Sequence, residues 1–578
     1  MTLIYMISPI ILCLANILLL KKTSHWYVWN LLLLVVFGVL TYLRVYFLLP
    51  SRNLLSIIIN NGFGGMVFEI ILLFFWLKFI DNEGSNDDYG RREKSKDNHN
   101  TKKLILGISI FGIVWLVGVA GVIHSKWSVK STWNSISKQY SKSSEAPTFK
   151  RNETPIALTP DTVLNRVHKS MSDVPNSQYY DTPDTVQAQY FNGKPVYIIP
   201  LSYADFFTML KAKEIPGYFI VDATNRNAEP KFMKKPYKYA TSAYFNYDVD
   251  RQIYRNNPEW LTMSTPQLEI DNTGTPYWVQ TVFKAEKFSR RPNYQKVHVV
   301  VMNAQTGKQN TYSVKNLPKF IDEGITSDVA AGMNKVFGKF KHGYWNQYFG
   351  QTGIIEPTNS GPENGVTSIF NRDGSISYFT DFTNPNSKAD SAMGYTMINA
   401  RTGKLTYYSA NGIMDSSGAK ENAEQNYKAQ KWDAEMPVLY NINGRPTWVM
   451  TILDKSNAIR GYYYLDAQDQ SIYGNGDTPT SALDAFRQAL VNNGTTAKNT
   501  PGAKEQTIKG TVDRSAVISS KNKVMFTLQG SNTVYTVNTN DYDKANLIRP
   551  GDNLSFKASV VNGQSIGNVE EFKNDSLK

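Results

Sequence analysis

The sequence predicts a membrane α-helical bundle of four spans, then an extracytoplasmic α+β repeat array, then a small C-terminal β-barrel. Three observations carry this. The chain has 578 residues and a negative mean hydropathy, yet its apolar residues crowd into the first 123 positions. The pattern Gly-x-Pro-x-Trp-Val occurs twice, ending at Val279 and at Val449. Residues 506–578 alternate apolar and polar side chains between glycine-bearing turns. Because single cores rarely exceed about 250–300 residues, several domains are required.

Residues 3–20, 26–49, 54–80 and 104–123 each approach or exceed the roughly 20 residues a helix needs to cross a bilayer. Residues 1–123 therefore read as the transmembrane domain, with a loop at 81–103. No positively charged region precedes the first stretch and no small-residue cleavage site follows it, so it reads as retained. Leu12 ahead of Cys13 argues against a cleaved lipoprotein. Lysines and arginines beside the spans set the orientation. Lys21 and Lys22 follow the first span, and Arg91, Arg92, Lys94, Lys96, Lys102 and Lys103 precede the fourth, which makes both linkers cytoplasmic. The N-terminus lacks Lys and Arg, and the turn between the second and third spans carries only Arg52. Four spans then put the N-terminus and everything after about Ser125 outside a multi-pass plasma-membrane protein.

The one cysteine lies in a predicted span, so the exterior part is built without disulfides. Secreted domains of animal cells usually use them, and a disulfide-free exterior fits a Gram-positive bacterial envelope. The net charge of +13 suits anionic lipids or wall polymers and serves solubility equally well.

Residues 124–150 are rich in serine and lysine with aromatics near the membrane, the composition of a juxtamembrane anchor and stalk. An amphipathic helix follows, with Thr159 as N-cap, Pro160 at its first position, and Val163, Leu164, Val167 and Met171 along one face. Across 151–494 the repeated pattern expands to four units, with strands near 193–227, 274–308, 374–404 and 444–471. Their entrances are Gly193, Pro195 and Tyr197; Gly274, Pro276 and Trp278; Gly374 and Tyr378, with Ile376 in place of proline; and Gly444, Pro446 and Trp448. Asn-Gly and Asp-Gly favour tight hairpin turns because glycine reaches positive φ freely. Each unit closes on Asp or Asn followed by alanine, at Ala223, Ala304, Ala400 and Ala467. The aromatic precedes that alanine by 26 residues in the first two units, 22 in the third and 19 in the fourth. The recurrence of glycine, proline and an aromatic reads as architecture: a turn, a stiffened edge and a core filler. Helices are expected at 328–349 and 481–494, the second with Ser481 and Asp484 as a capping box. Helix plus antiparallel strands, repeated, make an α+β array.

The closing strands of the type Val-x-Asn-Ala-x-Thr-Gly-Lys, with a helix such as SALDAFRQAL nearby, resemble PepSY-type modules of exported or membrane-anchored bacterial proteins. The order of the units is similar to that of uncharacterised multi-span envelope proteins of Gram-positive bacteria. The resemblance implies regulation of peptidases or organisation of envelope machinery. It transfers no functional residue, since the third unit lacks the proline and the fourth lacks Thr-Gly. Beyond a linker at 495–505, the five short strands expected in 506–578 resemble an OB-type barrel, and an SH3-like barrel would carry a similar signature.

No pair among the six histidines stands at metal-ligand spacing. The carboxylates of DAQDQS and YDVDRQ lack the EF-hand pattern, and neither GxSxG nor a phosphate loop occurs. The sequence thus nominates no catalytic, cofactor or metal residue and reads as non-enzymatic. Two candidates for binding remain. Glu69, inside the third span, is costly enough to count as a functional group by default, against the structural reading of a carboxyl satisfied by a neighbouring helix. Lys231, Lys234, Lys235 and Lys238 with Tyr237 make a basic-aromatic segment of the kind that grips anionic polymers, against the reading of a solvated surface whose aromatics pack inward. The small residues of NNGFGGM (60–66) suit close helix packing. The expected function is binding or scaffolding, with the lipid bilayer and an envelope protein or a second copy as partners. An anionic wall polymer is the alternative, nucleic acid ranks below it, and regulation of an envelope peptidase is the third reading. No cofactor is expected.

Overall fold

The computed structural model describes residues 2–19, 26–83, 94–141, 158–285, 288–385, 391–442, 445–493, 504–519, 522–561 and 564–577. Lys21, Lys22, Arg91, Arg92, Gly444 and most of the 495–505 linker lie outside them. The N-terminal part contains α1 (Ile7–Leu19), α2 (Trp26–Leu48), α3 (Leu54–Glu83) and α4 (Lys94–Trp127). The last three are long and apolar enough to cross a membrane. The first of the four expected spans is shorter, 13 residues, and follows a separate 3₁₀ turn at Thr2–Tyr5.

The α3–α4 contact is a seam of small residues. A Cβ on Gly65 would lie 2.6 Å from the Phe111 ring, one on Gly121 would lie 2.5 Å from Leu55 Cδ1, and Gly62 faces the Trp115 backbone. Residues without side chains let the two backbones approach, so the NNGFGGM stretch is a contact within the bundle.

A correction comes next in the chain. After α4 come α5 (Val129–Ser135) and the strand Lys138–Ser141, which joins the sheet of the third unit parallel to Leu405–Met414. Val129 and Ile136 are buried, and Trp133 Nε1 donates to the Phe337 carbonyl at 3.0 Å. The expected stalk is therefore folded into the core as far as Ser141. Its serine- and lysine-rich composition concealed a few apolar anchors.

Each repeat unit is a helix followed by four antiparallel strands. The first has α6 (Pro160–Lys169) and strands Gln187–Phe191, Lys194–Pro200, Tyr218–Asp222 and Lys231–Met233, with α7 (Phe206–Ala212) between the second and third. The second has α8 (Val249–Asn256) and strands Gln267–Ile270, Pro276–Ala285, Pro292–Asn303 and Gln309–Ser313. The third has α9 (Ser327–Lys339), a short α10 (Asn346–Phe349), and strands Thr367–Phe370, Ile376–Thr383, Ser391–Asn399 and Leu405–Met414. The fourth has α11 (Ser416–Asn426), strands Asp433–Ile442, Arg445–Leu453, Ile459–Asp466 and Tyr473–Gly476, and a closing α12 (Pro479–Asn492). The single helix expected at 328–349 is thus two, interrupted around Gly343 at φ +86°. The capping box of α12 is Thr478 with Ser481, one turn before the expected pair, while Asp484 faces Arg487 at 3.7 Å.

The repeated sequence pattern corresponds to a repeated set of hydrogen bonds. Tyr197, Trp278, Tyr378 and Trp448 are all buried on the second strand of their sheets. Each donates its one polar hydrogen to a backbone carbonyl on the chain leading into its unit's helix: Leu158 at 3.0 Å, Tyr239 at 2.7 Å, Ile325 at 2.9 Å and Met414 at 3.1 Å. Those same four residues donate their N–H to the carbonyls of Ala223, Ala304, Ala400 and Ala467 at 2.7–3.0 Å. The alanine N–H groups donate in turn to Pro195, Pro276, Ile376 and Pro446. Only a carbonyl is needed at the proline position, so isoleucine serves in the third unit. The Asp or Asn before each alanine closes a side-chain turn: Asp466 Oδ1 accepts from the N–H groups of Gln468 and Asp469 at 2.8 and 3.2 Å, without any Thr-Gly. Gly193, Gly274 and Gly374 sit at φ +78°, +79° and +79°, as the hairpin entrances require.

The units close on one another. Tyr218 donates to Gly274 O, Thr281 to Gly324 O and Tyr190 to Asn371 O, while Phe379 packs on Trp448 with centroids 6.1 Å apart. Thr162 Oγ1 then donates to Asn457 O at 2.9 Å, which joins the first unit to the fourth. One apolar core runs from Ile136 to Leu490. The array is a closed circuit and not a string of beads.

The C-terminal strands Lys504–Ile518, Lys523–Leu528, Val534–Asn538, Asn553–Val561 and Gln564–Asn574 form a closed five-stranded barrel with its own core. The third and fifth strands pair in parallel, and the fourth returns to the first.

The repeat array sits on the ends of the helix bundle. Tyr5 and Tyr254 both donate to Pro50 O, at 2.9 and 2.8 Å, and Arg52 N–H donates to Pro258 O at 2.7 Å. At the end of α4, Ser125 and Ser289 share a hydrogen bond of 2.9 Å. The start of α1, the end of α2, the start of α3 and the end of α4 thus all meet the same face of the array.

Replacing Trp448 with Phe keeps most of the buried ring but leaves the Met414 carbonyl without its donor. Trp448→Phe is expected to destabilise the full-length protein by about 1–3 kcal/mol, and Tyr378→Phe by a similar amount. Chemical unfolding in detergent measures both. Loss of less than a few tenths of a kcal/mol in both would remove the aromatic hydrogen bond from the account of the repeat.

Candidate functional site

The basic-aromatic segment lies at the edge of the first sheet. Lys231 is on the edge strand Lys231–Met233, paired with Ile220. Lys231, Lys234 and Lys238 are exposed and Lys235 is half-buried, its stem lying against the Gly274 turn. Among the described residues none of the four ammonium groups has an ion pair or hydrogen bond. Tyr237 follows the inward-packing reading: it is 1% exposed, and its hydroxyl bonds both the N–H and the carbonyl of Leu201, so it is core and not a stacking surface. Phe232 and Tyr239 also pack against the core. The lysines are largely exposed at and just beyond the edge strand, while the neighbouring aromatics pack inward.

Glu69 is buried between helices, accepting from Asn16 Nδ2 at 2.9 Å on α1, with Gly107 of α4 against its carboxyl. Among the described residues its Oε2 has no hydrogen-bond partner. Arg44 is exposed on α2 and does not reach it.

A second polar site was not evident from the sequence. Where the first three units meet, Glu269, Asp322, Glu323 and Glu363 converge. Glu269 accepts from the N–H groups of Asp322 and Glu323 at 2.7 and 3.1 Å, fastening the second sheet to the approach of α9. Asp322 accepts from Tyr190 N–H at 2.6 Å, Gln187 donates to Glu323 Oε2, and Ser368 donates to Glu363 at 2.7 Å. Gln189 adds a reciprocal pair with the backbone of Ile270, at 2.6 and 2.9 Å. Arg401 spends its guanidinium on the carbonyls of Leu317, Pro318 and Ile321 and lowers Asp322 and Glu269 from a distance.

Burial dominates the titration of this cluster. It pushes Glu269 up to about 8, helped by the charge of Asp322, and pushes Glu363 to about 7 and Asp322 to about 6. Glu323 rises well above the carboxylate range, from burial first and then from Glu363 and Glu269. The neighbouring phenols of Tyr197 and Tyr378 are raised by burial and by these carboxyls. Burial thus shifts all four carboxyls toward their protonated forms, and their hydrogen bonds make the site a junction between the units. No group of three or more His, Cys, Asp or Glu side chains among the described residues is arranged to hold a metal ion. The four carboxyls are scattered between positions 269 and 363, and only the closing of the units brings them together.

No family model matches the chain, and no curated protein matches it. Among solved structures, the polysaccharide lyase Uly1 aligns over 76% of this chain and 86% of its own, at 10% identity and a TM-score of 0.14. An overlap that weak carries nothing about fold or activity.

The raised carboxyls set a pH dependence. An unfolded glutamate releases its proton near 4.5, whereas folded Glu363 keeps it until about 7. Its stabilising proton is fully in place below about 4.5, and that stability is lost as pH rises through about 7. Glu363→Gln, which can still accept from Ser368, is expected to match wild type near pH 5 and to exceed it at pH 8 by on the order of 1–3 kcal/mol. Thermal unfolding of the full-length protein at the two pH values measures this. An equal difference at both would show that Glu363 is already ionised in the folded state.

Proposed function

We propose that the protein is a membrane-anchored, non-catalytic scaffold of the bacterial cell envelope, and that its repeat array binds an envelope protein on the outer face of the plasma membrane. The observation that carries this reading is the closed circuit of four units seated on one end of the helix bundle. A rigid body with its own core, fixed to the membrane through several chain segments, is suited to hold a partner at a set height and orientation.

Four membrane passes are part of the proposal. With the 3₁₀ turn at Thr2–Tyr5, α1 reaches roughly 27 Å at 1.5 Å per helical residue and 2.0 Å per 3₁₀ residue, close to the hydrocarbon thickness. The end of α3 and the start of α4, which the basic sequence around Arg91 to Lys103 joins, are not among the helix ends that meet the array, which supports an external array by the positive-inside rule. The helix-plus-four-strand unit supports the likeness to PepSY-type modules, and the five-stranded closed barrel supports the OB-type reading. The test is cross-linking of intact cells that produce the tagged full-length protein, with mass spectrometry of the captured material. Reproducible links from residues 158–493 to one envelope protein are expected, and links confined to the protein itself or to glycan would remove the scaffold reading.

A second reading rests on the lysine edge. Four ammonium groups close together in the chain, without a partner among the described residues, support binding of an anionic wall polymer by charge. Lys234→Glu combined with Lys235→Glu is expected to shorten heparin retention of the full-length protein markedly at low salt, because each lost phosphate-like contact lowers the salt-dependent affinity. Unchanged retention would discard this reading.

A further inference from the structure

The repeat scheme acts as a ruler, because segments that exceed it stand out. In the first, third and fourth units the helix N-cap, Thr159, Thr326 or Asp415, directly follows the residue bonded to the buried aromatic. In the second unit residues 240–247 intervene between Tyr239 and the N-cap Asp248. In the third unit residues 340–353 extend beyond α9, carrying α10. Both additions bear exposed aromatics, Phe245 at 53% and Trp345, Tyr348 and Phe349 at 50%, 60% and 81%. The bend after Pro276–Ala285 adds Phe288 at 49%.

All three segments lie where the array meets the helix ends. Trp345 packs on Trp127, the last residue of the span-forming α4, with centroids 5.6 Å apart. Phe288 precedes Ser289, which bonds Ser125. Phe245 leads into α8, whose Arg251 lies over the Tyr46 ring at 3.8 Å and bonds its hydroxyl at 2.8 Å. Two of these side chains are also held at a conformational cost. Phe245 and Phe288 have φ of +56° and +53°, the left-handed region that bulky residues avoid. A glycine or asparagine would sit there more cheaply, so the outward phenyl ring is what the position retains. Exposed cations flank the same face at Lys126, Arg290 and Lys341.

We propose that the bundle-facing side of the repeat array is a second membrane contact, whose Phe245, Phe288, Trp345, Tyr348 and Phe349 enter the headgroup region of the leaflet that the helices cross. Aromatic side chains favour that interfacial layer, the cations suit anionic headgroups, and the face continues the array's seat on the spans. This rests on the membrane-anchored reading above.

The test uses the full chain with Cys13→Ala, reconstituted in phosphatidylcholine–phosphatidylglycerol vesicles. Single cysteines introduced as Phe245→Cys, Phe349→Cys, Leu40→Cys on the exposed side of α2 and Val534→Cys on the barrel are labelled with an environment-sensitive fluorophore. Nitroxide lipids are expected to quench the labels at 245 and 349 severalfold more than the label at 534, with aqueous iodide showing the reverse order. The label at position 40 reports anchoring by itself. Lipid quenching there, without any at 245 and 349, overturns the second contact and leaves the anchor standing, whereas no quenching at 40 overturns the anchor. Labels at 245 and 349 shielded from both quenchers would mean that protein, such as a second copy, covers the face, and would also overturn the proposal.

Discussion

The structure depends on one recurring constraint: a fully buried alanine, between a strand and the chain entering a helix, with both of its backbone polar groups bonded. Ala223, Ala304, Ala400 and Ala467 are each 0–1% exposed, and each donates to one segment and accepts from another. A buried backbone group left unpaired costs about as much as a lost hydrogen bond, so the three segments must come together at that point. The aromatic of the repeated pattern completes the set by giving its only polar hydrogen to the remaining carbonyl. Ring burial drives the contact, and the hydrogen bond fixes its direction. Each helix is thereby tied to its own sheet by bonds within the unit, separate from those between units.

Closing the circuit exacts a different cost. Joining the first three units takes Glu269 and Glu323 out of water, with Asp322 and Glu363 half-buried beside them. Buried like charges cannot all ionise, so protons are retained and backbone N–H groups are recruited to the carboxyls. Apolar residues would fill the volume more cheaply. The carboxyls instead supply paired acceptors for the N–H groups of Tyr190, Asp322 and Glu323, which fix how the units meet.

Much of the architecture was legible in the sequence because its devices are local. Gly193, Gly274 and Gly374 announce hairpins, Thr159 with Pro160 announces a helix start, and alternation announces the barrel strands. What escaped was whatever depends on distant partners. The strand Lys138–Ser141 has little apolar character of its own and is a strand because Leu405–Met414 offers an edge. Tyr237 among lysines leaves a surface and an inward reading both open, and only the Leu201 backbone within reach of its hydroxyl decides for the second. Ser481 reads as an N-cap but is the third residue of the helix, because Thr478 with Pro479 starts it three residues earlier. The acidic junction draws on residues almost a hundred positions apart and leaves no spacing to read.

The lysine edge can be weighed against the other sheet edges of the array. The third sheet's last strand is covered by Lys138–Ser141, and the fourth's is backed by α12, where Gly474 meets the Phe486 backbone. The second sheet's edge strand is held by α8 and the turn after it, through Gln309 to Gln252 O at 2.9 Å and Thr311 to Asn257 at 3.0 Å. The first sheet ends instead in Lys231–Met233 and the lysines that follow. Lysine on an exposed edge prevents pairing with another chain, so these side chains have structural work whether or not a polymer binds them. That role needs charge at the strand, as Lys231 provides. It does not require Lys234, Lys235 and Lys238, which lie beyond the strand's end, and it is these three that give the polymer reading its separate content.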